Sequence, residues 1–122
     1  MQRICVDWDG TGHTYPKGWS GPTVIDGEAV PGFIAFLHEA VKHFKVAIHS
    51  SRSSSTGGIV AMQRALRGWE VHEAGTDSLV DMIEWPAVKP PASVYIDDRG
   101  WCFKGVWPTM QELADFKTWQ GK

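Results

Sequence analysis

Asp7 and Asp9 close the run Ile4-Cys5-Val6 and stand just before Gly10-Thr11, and they are the first residues whose types and spacing suit chemistry. Three apolar residues able to form a buried parallel strand lead into two carboxylates, and Gly10 permits a sharp turn after them. In an open α/β sheet ligands bind at the C-terminal ends of strands, where loops and helix N-termini converge. Two residues apart, Asp7 and Asp9 would share one side of a regular strand, and the turn at Gly10 is expected to rotate Asp9. Anions this close repel unless a cation lies between them or one is protonated. Oxygen-only ligands suit a hard ion, magnesium (Mg2+) above all, which keeps several waters and accepts phosphate oxygens. Taken alone, Asp-x-Asp-Gly equally describes a solvated turn after a strand, so the order of later groups decides.

Those later groups recur at strand ends. Ser50 ends a second apolar strand, Lys89 precedes a third, and Asp97-Asp98 close the third. With Asp7-Trp8-Asp9-Gly10-Thr11, Ser50, Lys89 and Asp97-Asp98 in this order, the chain resembles the haloacid dehalogenase (HAD) superfamily of aspartate-nucleophile phosphatases and phosphotransferases. The resemblance spans most of the chain. It implies Asp7 as nucleophile and Asp9 as general acid/base, with Ser50 and Lys89 holding the phosphoryl group. The implied Mg2+ ligands are Asp7, Asp9 (also through its backbone carbonyl), Asp98 directly, and Asp97 as a water-mediated or supporting ligand. Expected substrate contacts are Thr11, Ser51, Trp19 and Arg52, the last offering a planar donor fork for a phosphate.

Length and composition bound the rest. A chain of 122 residues forms one domain, 1–122, that buries roughly two thirds of its unfolded surface. Hydrophobic content of 43%, charged content of 21% and a net charge of -2 are ordinary for a globular protein and give no case for nonspecific nucleic-acid binding. The N-terminus lacks the apolar stretch of a signal peptide, and no run approaches the roughly 18 residues of a membrane span. A cytoplasmic protein is expected. Cys5 and Cys102 have neither a CxxC partner nor metal-ligand spacing and read as reduced thiols. The seven tryptophans are expected mostly to pack.

Gly12 to Val30, rich in Gly, Pro and Thr, reads as a long loop or hairpin, and so long an excursion beside a site is more often functional than idle. In the HAD family this position holds the flap over the site. About twenty residues leave no room for a cap domain, so an open site is expected, with Tyr15 and Trp19 meeting the substrate beyond its phosphate. His13, a lone histidine in this loop, is expected to be solvated. Pro31-Gly32 opens a helix in which Phe33, Phe36, Leu37, Ala40, Val41 and Phe44 recur at helical spacing. Phe44 to Ser50 follows as a strand. Ile59, Met62, Leu66 and Trp69 give the next helix its apolar face, Gly68 is expected to end it, and Trp69 to His72 reads as a short third strand. Thr76 to Trp85 suggests a short helix capped by Thr76 or Asp77, Ser93 to Ile96 a strand, and Cys102 to Val106 an edge strand. Thr109 and Glu112 match a capping box for a terminal helix. The alternation predicts an α/β fold: a three-layer, Rossmann-like domain with a mainly parallel sheet of about five strands and helices on both faces.

The function expected on this reading is Mg2+-dependent hydrolysis of phosphate monoesters through an aspartyl-phosphate on Asp7. The Ser-Ser-Arg and Asp-Asp-Arg elements resemble the phosphatase domains of polynucleotide kinase/phosphatases, which makes a nucleotide or nucleic-acid 3′-phosphate one candidate substrate. Sugar phosphates, phosphoproteins and small metabolites stay open. The alternatives are a non-catalytic module: a receiver-like switch phosphorylated on Asp7, or a degenerate relative retaining metal binding. Receivers carry the phosphoacceptor after a later strand, and the complete set of Asp7, Asp9, Ser50, Lys89 and Asp98 argues against degeneration.

Overall fold

The computed structural model describes residues 1–70 and 78–121. Three strands form one parallel sheet, with β1 (Arg3–Val6) between β2 (Lys45–Ile48) and β3 (Val94–Ile96). Val6 aligns with Ile48 on one side and Ile96 on the other, so Asp7, His49 and Asp97 leave the sheet at a common edge. The backbone of Glu84 bonds to Val46 and Ile48, extending the β2 side by a single bridge.

The fold is thus α/β with a small open parallel sheet, of three strands among the described residues where about five were expected. Trp69 and Glu70, read as the start of a strand, instead finish helix α2 (Gly58–Glu70). Gly68 costs that helix roughly 1 kcal/mol relative to Ala but does not end it. Trp69 continues the apolar stripe and stacks on Trp8, with ring centroids 5.1 Å apart. Val71 and His72 of that expected strand, and the expected caps Thr76 and Asp77, lie outside the described residues. Residues 102–106 form no strand, because the chain bends at Gly105, whose φ of 91° is left-handed, before any ladder can form. The helix expected over 76–85 is a single turn, α3 (Leu79–Met82), and its first amide, Leu79 N–H, donates to the buried Glu70 carboxylate. The terminal helix, α4 (Met110–Ala114), has its capping box between Thr109 and Glu112.

Period-two alternation along β1 sorts the molecule. Ile4, Val6 and Trp8 enter one apolar cluster with Phe33, Leu37, Met62, Leu66, Leu79 and Ile83, which joins helix α1 (Phe33–His43) to α2 and α3. Cys5 and Ala47 are buried but belong to the other face. Helices were expected on both faces; against this second face runs the Pro-rich stretch 86–91, whose Pro90 carbonyl accepts the Tyr95 hydroxyl.

Candidate functional site

A cavity of about 240 Å3 opens at the C-terminal edge of the sheet, lined by Cys5, Asp7, His49, Ser50, Ser51, Lys89, Tyr95 and Asp97 among others. Strand alternation accounts for much of the set. Cys5 and Asp7, Tyr95 and Asp97, and His49 all have the parity opposite to Ile4, Val6 and Ile48, so they project onto the second face. Lys89 arrives from the Pro-rich stretch, its Nζ 4.4 Å from the Tyr95 ring centroid. Of the residues singled out in the sequence, Asp7, Ser50, Ser51, Lys89 and Asp97 meet here, whereas Asp9, Thr11, Trp19, Arg52 and Asp98 do not line the cavity.

Asp7 has its carboxyl pushed up to about 7, chiefly by burial. The backbone N–H of Trp8 opposes the rise, and the charges of Asp98, Asp9 and Asp97 add to it. Asp98 Oδ1 is buried with no hydrogen-bond partner among the described residues. Its carboxylate lies against Gly10, where a Cβ would collide with Oδ2 and where a φ of 76° independently favours glycine. Asp97 is committed to a turn, Oδ1 accepting from the backbone N–H of Arg99 and Gly100. The donor set suits a hard divalent cation at Asp7 and Asp98: hard oxygen ligands, a buried oxygen without a partner, and a carboxyl that burial and neighbouring anions leave uncompensated. No three His, Cys, Asp or Glu side chains among the described residues form a complete site, so water, backbone and substrate oxygens would supply the rest, as is usual for Mg2+.

Asp9 turns away from this cavity into a second network. The Trp8 carbonyl accepts from the N–H groups of Thr11, Gly12 and His13, folding the chain into a tight loop. Arg52 clamps Asp9, its Nε lying 2.9 Å from Oδ2 and its Nη2 3.1 Å from Oδ1. His13, expected in solvent, is fully buried because it completes this network: Nδ1 lies 3.0 Å from Asp9 Oδ1, and Nε2 accepts the Gly27 N–H. That second bond assigns the proton to Nδ1, which donates to Asp9. Burial alone would raise the Asp9 carboxyl, but the hydrogen bonds of His13 and Arg52 outweigh it and hold the group below the usual carboxylate range.

Arg52 is 1% exposed, and its Nη1 donates to the carbonyls of Gly21, Pro22 and Val24 at 2.9–3.0 Å. Its fork, expected on a phosphate, is thus spent on Asp9 and on pinning the 12–30 segment. Trp19 caps the guanidinium, with the ring centroid 5.0 Å from Cζ, and stays half exposed. Tyr15 adopts a φ of 56°, uncommon outside glycine, and its ring packs edge-to-face with that of His13.

Ser50 opens a 3₁₀ turn (Ser51–Ser54): its Oγ accepts the Arg52 N–H and its own N–H donates to Ser53 Oγ. The Ser50 proton remains available to a ligand oxygen. Thr11 Oγ1 is buried with no partner among the described residues. The sequence reading missed His49, whose imidazole burial lowers below its ordinary range against a bond to the Ala87 backbone, with Lys89 adding to the lowering. It also missed the C-terminal strap, in which Trp119 Nε1 donates to the Gly10 carbonyl at 2.7 Å and Gln120 to that of Thr14. Parity with Ile48 was a usable signal for His49; the strap contacts span more than a hundred residues and leave no local trace. Comparison with protein-family models, with curated proteins and with solved structures finds no match for this chain.

Proposed function

We propose that the protein is a HAD-type phosphomonoesterase that works through an aspartyl-phosphate on Asp7. The observation that carries this reading is the meeting of Asp7, Ser50, Ser51 and Lys89, from three distant parts of the chain, around one cavity. A carboxylate approaching a phosphoryl dianion at about 4 Å meets roughly 4 kcal/mol of repulsion per pair of unit charges at an effective dielectric near 20. Lys89 offsets part of it. A Mg2+ ion held by Asp7 and Asp98, with the Asp9 carbonyl that the resemblance implies, supplies further charge neutralisation when bound. Asp7 attacks phosphorus, its oxygen bonding as the ester oxygen leaves; water then attacks the same phosphorus, releasing inorganic phosphate and the free carboxylate. The leaving ester oxygen takes its proton from solvent water and the attacking water gives one up to solvent at this open site, because Asp9, expected as the general acid/base, does not line the cavity and is held below the usual carboxylate range by His13 and Arg52. The hydroxyl of Ser50 and the Ser51 side of the 3₁₀ turn bind the non-bridging oxygens.

Substrate choice falls to the 12–30 segment, where Trp19 keeps half of its indole exposed. A nucleotide or nucleic-acid 3′-phosphate is the favoured class, because a base stacked on an exposed indole gains roughly 1–3 kcal/mol. The test is phosphate release from an aryl phosphate, a panel of phosphorylated metabolites and 3′-phosphorylated oligonucleotides, with Mg2+ or with a chelator. Release that requires Mg2+ supports the reading. A folded protein that releases phosphate from none of them overturns it.

A further inference from the structure

The C-terminal segment carries a surface that the site does not use. Trp101, Phe103, Val106, Trp107, Met110 and Leu113 are all exposed, Val106 and Trp107 to 78% and 80%. Trp101, Val106 and Trp107 line one groove, and the Phe103 ring centroid lies 4.7 Å from that of Trp107. Helix α4 buries no residue, yet Met110 and Leu113, three apart and so on one side, are both apolar and exposed. Next to this segment in the chain, β3 pairs, among the described residues, with β1 alone and buries none of its three residues. Accessible surface measures the mismatch. The chain exposes 7648 Å2, whereas a compact monomer of its mass exposes about 6,600 Å2. The excess, on the order of 1,000 Å2 over the whole chain, is large enough to include the roughly 800 Å2 that each partner buries in a standard interface.

We infer that this surface is a two-fold interface between two copies of this chain. Its composition is that of an interface centre, with Trp, Phe and Met enriched and charge sparse. Its charges favour a second copy over an unlike partner. One cation, Lys104, and one anion, Glu112, border the same groove, so a two-fold axis passing between them brings each against its opposite. The inference is independent of the proposed phosphatase activity.

Sedimentation equilibrium of the full chain from about 1 to about 200 μM tests it. The expected result is a reversible rise from 13.6 kDa toward twice that mass. W107E combined with M110E, at exposed positions where the monomer's melting curve should not move, should raise the dimer dissociation constant about thirty-fold or more. V60E, on the exposed side of α2, is the control and should leave it unchanged. K104E should weaken the dimer, and high salt should narrow its difference from wild type. Alkylation of the exposed Cys102, which lines the groove, should slow as the dimer fills, while Cys5 stays buried and inert. A wild-type chain that stays at 13.6 kDa at 200 μM, association that grows without stopping at two copies, or a dimer indifferent to W107E/M110E would each overturn the inference.

Discussion

Residues 3–70 and 94–116 use the same kinds of apolar side chain, and the fold treats them in opposite ways. In the first region β1 and β2 each bury three of four residues, and α1 and α2 feed the same cluster. In the second, β3 and α4 bury none. The candidate site lies on the seam. Asp7, Asp9, Ser50 and Arg52 come from the densely packed region, while Asp97 and Asp98 come from the end of a strand that, among the described residues, β1 alone holds. One half of the acidic cluster is therefore rigidly placed and the other half is placed by three residues of ladder. This division makes four predictions, taken from the largest expected effect to the smallest.

The densely packed region supplies the proposed nucleophile. Asp7→Asn should lower phosphate release about a thousandfold or more while leaving the melting temperature no lower, and retention of more than about a hundredth of the wild-type rate would remove Asp7 from that role.

Arg52→Met leaves the Asp9 carboxylate and three loop carbonyls without their donor. Breaking a buried pair costs about 3–5 kcal/mol, which should lower the melting temperature by about 10 °C or more. Trp107→Ala in the second region should cost the monomer under about 0.5 kcal/mol. Equal losses measured by calorimetry at low protein concentration would erase the contrast between the regions.

Titration of Asp7 adds a pH dependence. Its folded value, about 7, stands above the ordinary 3.8. The folded state therefore holds this proton more tightly than the unfolded chain, and the associated stability is complete below about pH 4 and lost as the pH rises through about 7. At pH 8 without divalent metal the loss reaches about 4 kcal/mol. Denaturant unfolding should show wild type losing stability relative to Asp7→Asn between pH 4 and 8, with Mg2+ closing the difference. Parallel curves for the two proteins would mean that Asp7 is not held in this environment.

Trp119→Phe removes the hydrogen bond to the Gly10 carbonyl and should cost about 1 kcal/mol. It is the weakest effect because the indole is largely exposed. A loss above about 3 kcal/mol, read from the same unfolding curves, would show that the strap and not the core holds the acidic turn.

Much of the first region could be read from the chain. The Ile4-Cys5-Val6 and Val46-Ala47-Ile48 strands, the α1 and α2 stripes and, in the second region, the Thr109–Glu112 cap follow from short-range pattern, because a strand or helix face is written in residues two to four apart. Trp69 and Cys102 to Val106 misled because β-formers near glycine suit a strand locally. Packing on Trp8 kept Trp69 helical, and the bend at Gly105 denied the other segment a partner strand.

The site divides in the same way. Sequence by itself determined where the acids stand: at the ends of β1 and β3, with Ser50 beyond β2 and Lys89 ahead of β3. Tertiary structure decided what each is bonded to. Arg52 sits 43 residues from Asp9, and which of two chemically suitable anions, a phosphate or Asp9, receives its fork depends on the distance and burial that folding creates. His13 looked like a solvated loop residue until the 12–30 segment brought the Gly27 amide to one nitrogen and Asp9 to the other. Residue type sets what a side chain can bond; only the folded chain sets which partner is near enough, and dry enough, for that bond to form.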